Sequence, residues 1–192
     1  MGTRYDLIIA LESVAVATEA DDGTYQPAYE RTEGPQLVLL FVGSSTCSVS
    51  ADPELPDLIE RLKLMVSEYA DRNGLAFRAS AIAVDWWPER GLRFLEPFGA
   101  FDEVSVGGNW TGHGLIRQTW DHGLEPATPG VYILRRELVV EGDSLNLARL
   151  GLDDEQLLLH RQGMPDLRAL AELPVERYLD ARLGETTSGS DP

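Results

Sequence analysis

The chain has 192 residues, 43% hydrophobic and 8% aromatic, and at this length a single domain with one buried core is the expectation. Its 32 acidic against 16 basic side chains give a net charge of −16, a surface that repels phosphate backbones and anionic lipid, so nucleic-acid and membrane partners are disfavoured. A single cysteine, Cys47, excludes an intramolecular disulfide and fits a reducing, cytoplasmic setting.

The start, "MGTRYDLIIALESVAVATEA", has the basic residue, apolar stretch and small residues of a signal peptide. Asp6 and Glu12 interrupt it, and the apolar part is too short to cross a bilayer, so extended segments over "YDLIIAL" and "SVAVATE" are expected instead. After the turn-rich Asp21, Asp22 and Gly23, Gly34 and Pro35 introduce "QLVLLFV", whose unbroken apolar character suits a strand covered on both faces. Cys47 follows in "GSSTCSVS".

Next comes "DPELPDLIERLKLMVSEYADRNG". Leu55, Leu58, Ile59, Leu62, Met65, Val66 and Tyr69 recur at three- and four-residue spacing, which predicts a helix with Glu60, Arg61, Lys63 and Glu68 on its other faces. Asp52 is the expected cap, Pro53 suits the first turn, and Asn73-Gly74 closes the end. "LAFRASAIAVD" reads as a second strand, "PERGLRFLEPF" as a helical piece, "DEVSVGG" as a strand, and "GHGLIRQTW" as a helix. "GVYILRRELVV" reads as a hairpin that turns at Arg135-Arg136 or leaves by Glu141-Gly142-Asp143. The stretch "LDDEQLLLHRQGMPDLRALAELPVERYLDARL" has a helical pattern broken at Gly163 and Pro165. Residues 184–192, without an apolar anchor, are expected to be disordered. Strands separated by helices argue for an α/β domain with a parallel βαβ unit.

That order, with a cysteine between the first buried strand and the long helix, resembles the thioredoxin fold. Cys47-Ser48-Val49-Ser50 stands where that superfamily places C-x-x-C, in the C-x-x-S form of single-cysteine members. "AIAVD" ends the next strand in an aspartate, Thr128-Pro129 precedes "GVYIL" as the cis-proline loop does, and "YILRRELVV" is similar to the closing hairpin. The resemblance implies a mixed sheet flanked by helices over residues 1–183. Because 43 residues separate Asp85 from Pro129, it also implies an inserted strand-helix element at about 99–122.

The resemblance further implies a monothiol thiol-disulfide oxidoreductase. Cys47 is its nucleophile, Ser50 occupies the vacant resolving position, and Thr128 and Pro129 face the substrate. No cofactor is implied beyond an external thiol such as glutathione, which would release the mixed disulfide. The partner would be a protein or a small thiol.

Two readings of Cys47 stand side by side. A thiol near exposed backbone N–H groups, with Ser44, Ser45, Ser48 and Ser50 as donors, is activated as thiolate. Against this, free cysteine is among the most buried residue types. Asp52, Glu54 and Asp57 also surround the segment with no nearby base in sequence, which raises a thiol pKa. The alternative is a redox-inactive binding or adapter protein whose aromatic-rich insertion forms the partner surface, all four tryptophans lying between residues 86 and 120. That alternative predicts an indole left exposed beside acidic rim residues.

Other constellations are weak. His113 and His122 lie near Asp102, Glu103 and Asp121 without metal-ligand spacing, so no metal site is expected. His160 has no partner pattern, and "GGNWTGHG" fits no phosphate-binding loop.

Overall fold

The computed structural model describes residues 23–27, 34–112, 123–138 and 155–180. Within them run β1 (Gly34–Gly43), α1 (Leu55–Arg72), β2 (Ala76–Ala83), α2 (Pro88–Leu95), β3 (Glu103–Val106), β4 (Gly130–Leu138), β5 (Gln156–Gln162) and α3 (Met164–Glu172). The strands form one mixed sheet in the order β3-β2-β1-β4-β5. β1, β2 and β3 are parallel neighbours, while β4 runs antiparallel to both β1 and β5.

β1 is the centre because its apolar run can be covered on both faces. Leu37, Leu39 and Phe41 point into one core with the apolar stripe of α1, the alanines of β2 and the inner side of α3. Val38, Leu40 and Val42 join Ile82, Val84, Tyr132 and Leu134 on the opposite face. This is the period-2 alternation of a strand buried on both sides. Each fully buried Leu or Ile of α1 contributes about 1.5–3 kcal/mol, and that burial holds α1 across the βαβ crossover.

The helix prediction over α1 holds in its apolar stripe and differs at its start. The helix begins at Leu55 with Pro56 in its first turn, and Glu54 occupies the cap position without a side-chain cap. Asp52 acts one step earlier, its carboxylate accepting the Glu54 N–H at 3.0 Å. Lys63, expected on a polar face, is fully buried. Its ammonium donates to the carbonyls of Phe98 and Ala100 at 2.9 Å each and pairs with Glu60. It also lies over the Phe101 ring at 4.5 Å.

α2 and the 3₁₀ turn after it follow the expected helical piece. Phe94 and Phe98 pack against Phe41, with ring centroids 6.4 and 4.7 Å away. Gly43, at the end of β1, has no room for a side chain, since a Cβ there would lie 2.6 Å from the Phe94 ring. The strand expected over "DEVSVGG" is present as β3; the helix expected around 112–120, with Trp120, lies outside the described residues, as do His113 and His122. So do the two N-terminal extended segments and the tail from 184.

Two expectations at the closing hairpin are corrected. β4 does not turn at Arg135-Arg136 but runs straight through to Leu138, because both take part in its pairing with β1; the alternative exit at Glu141-Gly142-Asp143 lies outside the described residues. Its hairpin partner is "QLLLHRQ", expected as helix and found as β5. The helix after it starts only at Met164, beyond Gly163, whose φ of +77° suits glycine.

Candidate functional site

The parallel register sets the site. Gly43 pairs with Ala83 where β1 and β2 end together, so the loops that leave them are neighbours. Val84 N–H still donates to the Gly43 carbonyl at 2.9 Å, and the buried Asp85 then turns toward the cysteine loop. Its carboxylate accepts the Ser45 N–H at 3.1 Å and the Ser45 hydroxyl at 2.5 Å. A carboxylate that binds both a backbone and a side-chain donor clamps one loop to the other.

The cysteine segment is a chain of tight turns and not yet helix. Cys47 N–H donates to the Ser44 carbonyl, Ala51 to Ser48, and Asp52 to Val49. Of the four serines expected to serve a thiolate, Ser44 bonds Thr46 and Ser45 is committed to Asp85. Ser48 is exposed. Ser50 is buried, and its hydroxyl has no hydrogen-bond partner.

Cys47 is partly exposed. Its Sγ donates to the Thr128 carbonyl at 3.2 Å across 81 positions of sequence, and the Thr128–Pro129 peptide is cis. β4 starts immediately afterwards at Gly130, the register partner of Val42, so the chain delivers this loop to the end of β1 where the cysteine sits. The four residues singled out in the sequence, Cys47, Ser50, Thr128 and Pro129, therefore share one edge of the sheet.

Burial pushes the Cys47 thiol up. The side chain of Thr128, the backbone and hydroxyl of Ser50 and the backbone of Val49 outweigh it, and the net direction is down from 9.0. The Thr128 carbonyl acts the other way, since it accepts from the neutral thiol. A Ser50 hydroxyl that donated to the ionised sulfur would favour the anion.

The expected upward push from nearby acids is corrected by the fold. Arg168 of α3 pairs with Glu54 at 2.7 Å and Asp52 at 3.5 Å, a base that lies more than a hundred positions away in sequence. Part of the negative charge beside the loop is thereby offset.

Trp86 and Trp87 follow Asp85 directly, and they are 65% and 69% exposed. Phe94, Phe98, Phe101 and Trp110 pack instead against the two cores. His160 lies on β5, stacked on Tyr132 with centroids 4.4 Å apart. Burial holds His160 below its ordinary pKa and pushes Tyr132 up to about 12. Among the described residues no three His, Cys, Asp or Glu side chains converge as a metal site would need, and no helix is long and apolar enough to cross a membrane.

The class of protein that this topology and site define is a thioredoxin-like α/β fold. The sheet order, the cysteine at the end of its central strand and the cis-proline opposite carry that assignment. No family model and no curated protein matches the chain. Among solved structures it is similar to a thiol:disulfide interchange protein of the DsbE kind from Chlorobium tepidum, at 14% identity, 75% of this chain, 80% of that chain and a TM-score of 0.42. It is similar also to one from Bacteroides sp. at 11%, 81%, 81% and 0.40, and to thioredoxin of Wuchereria bancrofti at 12%, 78%, 81% and 0.38.

Proposed function

We propose that the protein is a monothiol thiol-disulfide oxidoreductase with Cys47 as nucleophile. The observation that supports this most is the juxtaposition of a partly exposed thiol, 3.2 Å from the Thr128 carbonyl at a cis-proline, with donors that lower its pKa. The Cys47 thiolate attacks one sulfur of a disulfide R–S–S–R′. A new Cys47–S–S–R bond forms, the old S–S bond breaks, and R′–S⁻ leaves with the electron pair. Ser50 carries no thiol, so a second thiolate from an external thiol attacks the mixed disulfide, releasing R as a disulfide and restoring Cys47. In this reading Ser50 steadies the thiolate, and the Thr128-Pro129 loop aligns the substrate chain beside the sulfur.

The pH dependence of Cys47 alkylation in the folded protein tests it. Rapid labelling with a midpoint well below that of a free cysteine, about 8.5, is expected. Labelling that appears only on denaturation removes the redox reading. The exposure of Trp86 and Trp87 favours a second reading, a redox-inactive binding protein, which predicts a stable partner complex in which Cys47→Ser changes nothing.

A further inference from the structure

The indoles of Trp86 and Trp87 are held outward by ordered backbone on both sides. Behind them, Asp85 is buried and bonded to Ser45, two residues from Cys47. Ahead of them, α2 begins at Pro88, and the Trp87 carbonyl accepts the N–H groups of Arg90 and Gly91 at 3.1 Å. Two large apolar side chains on a fixed backbone are a preorganised contact surface, since burying either ring on a partner costs little ordering entropy. Val49, two residues after Cys47, is also exposed, at 43%.

The rim has a definite sign. Exposed acids stand near this edge: Asp57 in the first turn of α1, Glu89 in the first turn of α2, and Glu125 ahead of the cis-proline. Among the described residues the bases here are Arg90 and Arg93, exposed on α2, Arg161, the register partner of Val131 near the cis-proline, and Arg168, already paired with Asp52 and Glu54. The acids named, with Asp52 and Glu54, still outnumber them. The chain as a whole carries −16. Indole faces attract guanidinium and ammonium groups, and an acidic field steers cations inward and repels anions. Glutathione, with two carboxylates and one ammonium, is the wrong sign for this edge.

We infer that Trp86 and Trp87 form the recognition element beside Cys47, and that its substrate is a disulfide carried in a basic peptide segment rather than glutathione or another acidic thiol. This rests on the reading of Cys47 as nucleophile given above. The Lys or Arg side chains of the substrate lie over the indoles while its sulfur meets Cys47 at the Thr128-Pro129 loop.

Two peptides of equal length, each with one cysteine as a 2-pyridyl mixed disulfide, test this. One has arginine and lysine flanks and the other glutamate flanks. Cys47 thiolate attacks the peptide sulfur, the peptide becomes bonded to Cys47, and pyridine-2-thiolate leaves and is read by its absorbance. At low salt the basic peptide is expected to react about tenfold faster or more than the acidic one. The ratio should shrink at high salt and fall toward one in Trp86→Ala/Trp87→Ala. The Trp86→Phe/Trp87→Phe variant, which keeps aromatic faces, should retain part of the ratio.

A ratio of one or below at low salt overturns the inference while leaving Cys47 as nucleophile. A ratio that survives loss of both indoles overturns the assignment to Trp86 and Trp87. No reaction with neutral 2,2′-dipyridyl disulfide removes the nucleophile reading, and the inference with it.

Discussion

Lys63 and Cys47 are each the only residue of their kind in the chain, and the fold treats them in opposite ways. Lys63 lies fully buried under a complete set of partners: the Phe98 and Ala100 carbonyls, the Glu60 carboxylate and the Phe101 ring. Around it the network continues through Tyr25, whose hydroxyl donates to Asp102 at 2.6 Å, and through Arg78, paired with Asp102 at 3.2 Å. Cys47 is partly exposed, the buried Ser50 hydroxyl is unpartnered, and two exposed indoles follow Asp85, the residue bonded to the cysteine loop. A buried charge is tolerable only when its partners are all present. A nucleophile of the kind proposed for Cys47 would need some of its surroundings left free for a substrate. The first region is closed by its partners, and the second is left open.

The largest expected effect breaks the first region. Lys63→Met strips the donor from two carbonyls and a carboxylate and should cost about 3–5 kcal/mol in denaturant unfolding. Cys47→Ser should cost about 1 kcal/mol or less while abolishing alkylation; a Cys47→Ser loss as large as that of Lys63→Met would erase the contrast. Gly43→Ala comes next. Its Cβ must displace the Phe94 ring, an overpacking that costs about 1–3 kcal/mol and disturbs the strand end that carries the cysteine loop.

Smaller effects sharpen the description of the thiol. Ser50→Ala removes a donor to the thiolate, and Arg168→Gln frees Asp52 and Glu54 from their partner. Both should move the Cys47 alkylation midpoint upward with the fold intact, and an unmoved midpoint in both would remove these residues from the electrostatics of the site.

The smallest effect lies at the far end of the sheet. Burial raises the Glu103 carboxyl, but the Arg136 guanidinium bonded to it at 2.9 Å outweighs this and holds it below 4.5. Because the folded pKa is depressed, the stabilisation is present above the unfolded value of 4.5 and is lost as pH falls through the folded one. Glu103→Gln should flatten that acid limb of the stability curve, read by urea unfolding at a series of pH values.

How legible each part was follows from the range of the interactions. The stripe of α1 and the apolar run of β1 are periodic within a few residues, so they could be read directly. "QLLLHRQ" could not, because its residues are acceptable in a helix and only pairing with β4 makes it a strand. Likewise "YILRREL" contains a pair of arginines that reads as a turn, yet Arg136 donates to Gln36 of β1 at 3.1 Å and continues the strand. Lys63 sits beside the apolar stripe, where a lysine ordinarily reaches solvent, and nothing local signals the carbonyls of Phe98 and Ala100 waiting above it.

The sequence by itself determined the alternation of strands and helices and the place of Cys47 after the central strand, because these depend on local periodicity and chain order; that Pro129 would face the cysteine was implied only by the resemblance. Tertiary structure alone decided that Arg168 offsets Asp52 and Glu54, that Ser45 serves Asp85 while the buried Ser50 hydroxyl is left without a partner, and that Trp86 and Trp87 stay outside while Phe94 and Phe98 go in. Each of those outcomes is a choice among partners far apart in the chain, and such choices are settled by which groups the packed sheet brings within bonding distance.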